Sequence, residues 1–426
     1  MKTDLIIHNC GQLVTCASQG KAKKGVSAMR DVGIVENGAI AVENGLVAAI
    51  GKSADILKKY KSENIIDASG KVVCPAFVEC HTHVVFAGNR LDEFELKIKG
   101  TDYLEILESG GGILSTVKQT REASLLELVE QSRRRLDRML AHGVATCEIK
   151  TGYGLDTETE LKMLDAIAEL DKIHAVDLIP TFLAAHAFPT EFKGREDEYV
   201  DLICDEMLPV VADIRHSERN FKGIFKNKPF FVDVFCEKNA FNLEQSRKIL
   251  ETAKKLGFGL KAHVDEFTNL GGARLAIENG ATSIDHLDTI SDAEIRLLAD
   301  SETVGVVTPT VNFNFGSSDF ADARKMIDAN CAIAVSTDFN PGSAPSPSLA
   351  MAMAIACRYQ KLLPSESLNA ATINAAFAVG LGNKTGSLEV GKQADVLILD
   401  TDDYRQLAYE FGGNLVETII KGGKRC

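Results

Sequence analysis

With 426 residues, 45% hydrophobic and 25% charged, the chain has the balance of a globular enzyme and room for one large domain or two to three ordinary ones. A net charge of −13 argues against nucleic acid or an anionic membrane as partner, since both select a basic face. Ten scattered cysteines with no CxxC pair argue against a disulfide framework and for reduced thiols in the cytoplasm.

The N-terminal "MKTDLIIHNCGQLVTC" has no basic start followed by a long apolar core, so no signal peptide is expected. The first segment reads as strands. In "IAVENGLVAAIG" two apolar runs flank Asn44-Gly45, the pattern of a tight hairpin. At the other end, "QADVLILD" and "LVETIIKGGK" are strand-like runs with a Gly-Gly turn. Neither end has enough strands to cover a sheet face alone. Residues 1–74 and 386–426 are therefore expected to pack together as a composite β-sandwich, flanking a central domain over 75–385.

The centre begins with "FVECHTH", a strand-like run. Next, Arg133-Arg134-Arg135 lies in a Glu-rich helical pattern and reads as a solvated helix face. Apolar runs then recur as "VATCEIK", "VDLIPTFLAAH", "FFVDVFCE", "FGLKAHVDEF", "TSIDHLD", "TVGVVTPT" and "CAIAVSTDFN". Amphipathic segments lie between many of them. Thr157 with Glu160, and Ser291 with Glu294, have capping-box spacing, and Gly280 suits a helix C-terminus. The run "LAMAMAIAC" is too short to span a bilayer. Eight strands alternating with helices predict an α/β fold, a (β/α)8 TIM-like barrel, with its active site at the C-terminal strand ends. A doubly wound open sheet is the alternative, weakened because no GxGxxG follows the first strand.

The strand ends concentrate the chemistry. The first ends at His81 and His83, the third at His186, the fifth at His263 with Asp265 and Glu266 behind it, the sixth at His286 and the eighth at Asp338. His81 and His83 are two apart, so on a strand both rings point the same way. His263 and Asp338 would complete a set of three nitrogens and one oxygen, suited to Zn²⁺ and possible for Fe²⁺. Such an ion lowers the pKa of water towards ~7. Hydrolysis also needs proton transfer, for which Glu266 and His286 both qualify. His8, His142, His174 and His216 lie in the N-terminal strand, at a helix end or in polar loops, and read as structural.

At these residues the chain resembles the amidohydrolase superfamily. The matching stretches are "PAFVECHTHVVFAGNRLDEFELKIKG", "ESGGGILSTV", "EIKTGYGLD", "FLAAHAFP", "KAHVDEF", "SIDHLD" and "VSTDFNPGSAPSPSL". "FAGNR", "KTGYGLD" and "DFNPGS" point to one branch, which opens the ring of 4-imidazolone-5-propanoate in histidine breakdown. That resemblance implies one Zn²⁺ or Fe ion per subunit held by His81, His83, His263 and Asp338. It implies substrate contacts from Arg90, Tyr103, Tyr153, His186, Glu266, Asn340, Gly342 and Ser343, with Glu266, His286 and Asp338 catalytic. It also implies a cytoplasmic homodimer. Physically, Arg90 can grip a propanoate by a bidentate fork, and "ESGGGI" can offer backbone N–H groups. Ala76 departs from the Gly of many relatives but touches no ligand position. A related deaminase or cyclic amidase acting on another small ring, and a catalytically dead scaffold, are the competing readings. The intact ligand set weighs against the scaffold.

Overall fold

Strands from both chain ends meet in one sheet. In the computed structural model, which describes residues 1–100, 111–215 and 225–426, Val72–Pro75 pairs antiparallel with Val396–Leu399. The sheet runs in the order Lys424–Arg425, Val416–Lys421, Val396–Leu399, Val72–Pro75, Leu5–Val14, Ile34–Glu43 and Leu46–Lys52. Ile65–Asp67 also pairs with Leu5–Val14. The predicted hairpin is present: Asn44 and Gly45 take φ of +53° and +77° between paired strands, as a two-residue turn requires. Period-two alternation divides the faces. Leu5 and Ile7 join a cluster with Ile40, Val42, Val396 and Ile398, whereas Ile6 packs with Ala39, Ala41 and Ile56 beneath the helix Ser53–Lys59.

All eight central strands predicted from sequence are present. They are β1 (Phe77–Glu79), β2 (Val144–Lys150), β3 (Asp177–Ala185), β4 (Phe231–Cys236), β5 (Gly259–Val264), β6 (Ser283–His286), β7 (Val304–Val307) and β8 (Ile333–Val335). They form one curled parallel sheet in sequence order. Just past the ends of β1 and β8, Thr82 pairs with Phe339 in parallel, and His83 N–H donates to the Phe339 carbonyl at 2.9 Å. Buried Glu79 bridges the same edges, accepting from the Ser336 hydroxyl and from Thr337 N–H and Oγ1–H. The first and last strand ends are therefore tied together, which brings His81 beside Asp338.

Two local expectations change. The helix Thr157–Ile173 is capped by Asp156, whose side chain accepts Thr159 N–H, so Thr157 and Glu160 form no capping box. Glu160 is instead fully buried. Ser291 and Glu294 do form their box, and Gly280 closes its helix at φ +80°. The basic run is not uniformly solvated: Arg133 and Arg134 pair with Glu130, but Arg135 turns inward. Its Nη1 donates to the Val84 and Phe86 carbonyls, and its guanidinium lies 3.5 Å from the Phe86 ring centroid. It thereby pins the segment that follows His83. Among the described residues no helix is long and apolar enough to cross a membrane.

Candidate active site

β1 is shorter than "FVECHTH"; its regular part stops at Glu79, and both histidines lie on the segment beyond. Both are buried, with ring centroids 5.5 Å apart. The His263 ring, at the end of β5, lies 4.4 Å from His81 and 5.6 Å from His83. Asp338 Oδ1 lies 3.4 Å from Nε2 of both His81 and His83. Ligand atoms of His81, His83 and His263 fall within 4.8 Å of one another, as do those of His81, His286 and Asp338. The sequence-predicted ligands therefore converge, with His286 at their edge.

The tautomers are fixed from behind. His81 Nδ1 meets the Asp285 carboxylate at 2.7 Å, and His263 Nδ1 meets Asp233 at 3.0 Å. A carboxylate only accepts, so each Nδ1 carries the proton and each Nε2 turns a lone pair to the centre. Those two Nε2 atoms, with His83 Nδ1, His286 Nε2 and Asp338 Oδ1, are buried without a hydrogen-bond partner. Buried polar atoms seldom stay unpaired, and this donor set fits a divalent cation. Burial pushes the pKa of His81, His83 and His263 well below the ordinary range, with neighbouring cationic groups adding to it, so the rings are neutral, the form that can bind a cation. Burial also drives the Asp338 carboxyl far up. A cation among the three rings would offset that cost.

Behind the ligands lies a charge network that the strand readings passed over. Lys150 Nζ is 2.8 Å from Glu148 and from Asp233, and 3.5 Å from Asp285, all fully buried. Burial opposes its charge, but Asp233, Glu148 and Asp285 outweigh that and raise its pKa. One ammonium thus supports both carboxylates that orient His81 and His263. A signal was present: Glu148 and Lys150 stand two apart inside the apolar run "VATCEIK", and Asp233 and Asp285 interrupt similar runs. Charges at alternating positions of a buried strand must face a shared polar interior.

Glu266 and His286 stand beside each other at the edge of the cluster. Glu266 Oε2 is 3.9 Å from His286 Nε2, while His286 Nδ1 meets Thr308 Oγ1 at 3.0 Å. Burial, then the like charges of Asp338 and Asp288, raises Glu266 well above the ordinary carboxyl range. Burial lowers His286 to about 4. The pair is thus poised with the proton on the carboxyl, not on the ring. The backbone here is strained: Asp265, His286, Leu287 and Asp338 take φ of +57°, +83°, +70° and +50°. Such residues cost of order 1–3 kcal/mol each and cluster at functional sites.

The predicted substrate contacts are placed as follows. Tyr153 is buried, 5.7 Å from the His83 ring and 5.4 Å from His186. His186 stacks on His83 at 4.8 Å. Arg90 is partly engaged: its Nε donates to Glu93 at 2.8 Å and its Nη2 at 2.5 Å, so the Nε–Nη2 fork is not left for a ligand. Its Nη1 lies against Gly342, where a methyl group would collide with it. At the described end of the glycine-rich stretch, Gly112 N–H is also taken, donating to Glu93 at 3.0 Å, while residues 108–110 lie outside the described residues. Asn340 shapes its own turn, accepting Gly342 and Ser343 N–H at 2.8 and 2.7 Å and donating to Ser343 Oγ at 2.7 Å. Tyr103 lies outside the described residues, as does His216.

Comparison with known proteins agrees with this geometry. Residues 72–426 match the model of the amidohydrolase family. The chain is 50% identical over 421 residues to the imidazolonepropionase of Chloroflexus aggregans, covering 99% of this chain and 98% of that one. It is 44% identical to the imidazolonepropionase of Geobacillus kaustophilus, covering 99% and 97%. Among solved structures it is similar to a zinc-bound adenosine deaminase from Xanthomonas campestris, at TM-score 0.71 and 19% identity over 100% of this chain and 93% of that one. Guanine deaminase from E. coli gives TM-score 0.71 at 14% identity, covering 99% and 98%. At these identities the solved structures speak to the fold alone.

Proposed function

The chain belongs to the amidohydrolase family, and on that premise we propose that it hydrolyses a ring C–N bond of 4-imidazolone-5-propanoate, giving N-formimidoyl-L-glutamate in histidine degradation. The observation that carries the chemistry is the convergence of unpaired, buried donor atoms from His81, His83, His263 and Asp338. These residues would hold one Zn²⁺, or Fe, per subunit. Such a cation makes water acidic enough to attack at neutral pH and polarises the ring carbonyl.

The chain's own residues do the rest. Attack by water on the ring carbonyl carbon forms the new C–O bond, and the C–N bond breaks as nitrogen takes a proton. Asp338 takes the first proton of the attacking water; Glu266, whose environment favours the protonated form, gives its proton to the departing nitrogen and recovers one from the new carboxyl group. Neutral His286 orients the water or the carbonyl through Nε2. Asn340, Gly342 and Ser343 form a turn that can meet the new carboxyl end.

Arg90 takes the propanoate on its Nη1 side, with Glu93 holding the guanidinium in place, and Tyr153, His186 and Tyr103 complete the contacts. Arg90→Ala is expected to raise KM and to lower kcat/KM by about 10²-fold or more, because a desolvated carboxylate loses its partner. Steady-state kinetics checks this, and an unchanged kcat/KM refutes the role.

The same proposal takes the joined strand ends as a closed (β/α)8 barrel over 75–385, with 1–74 and 386–426 as the composite β-sandwich. It also takes the protein as a cytoplasmic homodimer. Ten free thiols suit a reducing compartment. Exposed Tyr359, Tyr409 and Phe411 offer an apolar face for a second subunit. Metal-loaded protein mixed with freshly made 4-imidazolone-5-propanoate is expected to abolish the ring's ultraviolet absorbance. Protein with stoichiometric metal that leaves the absorbance intact excludes this substrate and favours another small ring.

A further inference from the structure

The turn of residues 151–155, between β2 and the helix Thr157–Ile173, delivers two groups to the site. One is the Tyr153 ring. The other is the Gly152 carbonyl, 3.0 Å from His186 Nδ1. A carbonyl only accepts, so Nδ1 carries the proton, and the neutral His186 ring has its lone pair on Nε2. A lone pair there receives an N–H and repels a carboxylate.

The turn does not hold this shape by its own preferences. Gly152 takes φ +101°, and Leu155 takes +55°, a conformation that non-glycine residues avoid. It is wrapped around one side chain. Fully buried Glu160 accepts Gly154 N–H at 2.8 Å, Leu155 N–H at 2.9 Å and Gly152 N–H at 3.1 and 3.2 Å. The fit is close: a methyl on Gly154 would lie 2.6 Å from Glu160 N. A carboxylate has lone pairs for all these donors, whereas an amide of the same size turns an NH₂ towards some of them.

We propose that Glu160 is a positioning residue of the active site. By folding the 151–155 turn around its carboxylate, it holds the Gly152 carbonyl where it fixes His186 as the Nδ1–H tautomer. His186 Nε2 then accepts a ring N–H of the substrate, with Tyr153 set beside it and the propanoate left to Arg90. The assignment of the ring N–H rests on the proposed substrate; the control of the tautomer does not.

The test uses metal-loaded full-length protein with ¹⁵N-labelled histidine. Two-bond ¹H–¹⁵N spectra distinguish the two tautomers, with His186→Gln identifying the resonance. Wild type is expected to show the Nδ1–H pattern. Glu160→Gln is expected to lose it and to raise KM by about tenfold or more, with kcat changed far less and metal content kept, since small displacements of positioning groups carry effects of this size. If Glu160→Gln does not fold, Gly154→Ala presses on the same turn from its other side and should give the same shift. An Nε2–H pattern in wild type overturns the proposal. So does a variant that lowers Tm but leaves KM and the tautomer unchanged, the mark of a merely structural residue. Protein that leaves the ring intact, yet loses the Nδ1–H pattern in Glu160→Gln, overturns the proposed substrate and supports the role of Glu160.

Discussion

Asp338→Ala is expected to abolish turnover, by at least about 10⁴-fold, and to remove most of the bound metal while the fold persists. The effect is large because one side chain has two tasks. Its Oδ1 stands 3.4 Å from the Nε2 of both His81 and His83, where by the proposed function it would complete the donor set and take a proton from the attacking water. The fold should survive because the carboxylate takes no part in the apolar core, and the edges of β1 and β8 remain tied by Glu79, Ser336 and Thr337. Asp338 sits at φ +50°, which Asn tolerates better than Ala, so Asp338→Asn is the control that keeps the backbone preference. Metal per chain, far-ultraviolet circular dichroism and kcat together decide the matter. Full activity in Asp338→Ala would rule out the ligand set.

Glu266→Gln is expected to lower kcat by about 10²–10⁴-fold, the usual contribution of a positioned acid–base group, with metal content unchanged. Gln keeps the size and loses the ability to take up and give away a proton. Glu266 stands apart from the ligand cluster and meets His286 at 3.9 Å. Its environment favours the protonated carboxyl, whereas burial lowers the pKa of His286 to about 4 and so keeps that ring neutral at neutral pH. A proton carrier at neutral pH must be able to hold the proton it moves, and Glu266 answers that need better. If Glu266→Gln retains kcat while His286→Gln loses it, the roles are reversed. That comparison separates two residues the sequence left level.

Much of the fold was legible because its signals are local. The hairpin at Asn44-Gly45, the eight apolar runs and the cap at Ser291 each depend on residues within a few positions of one another. The pairing of both chain ends followed from a shortage, since neither end had strands enough to cover its own sheet. Strand periodicity pointed to His81 and His83, although both lie past the regular strand, and His263 and Asp338 were found because a parallel sheet in sequence order brings its C-terminal strand ends to one side.

The sequence by itself therefore determined which strands exist and which side chains stand at their ends. Tertiary structure alone decided what those side chains meet. Lys150 finds Asp233 and Asp285 across 83 and 135 residues of chain, and no local pattern specifies such partners. The same holds for Arg135, whose neighbours look solvated; Arg90 is the local exception, its Nε–Nη2 fork taken by Glu93 three residues on. Glu160 had the spacing of a helix cap, yet its carboxylate faces the turn, because Asp156 caps the helix and several amide N–H groups needed an acceptor. Periodicity fixes the direction of a side chain relative to its own backbone. The partner it reaches, and hence its protonation and its role, depends on elements that only folding brings alongside.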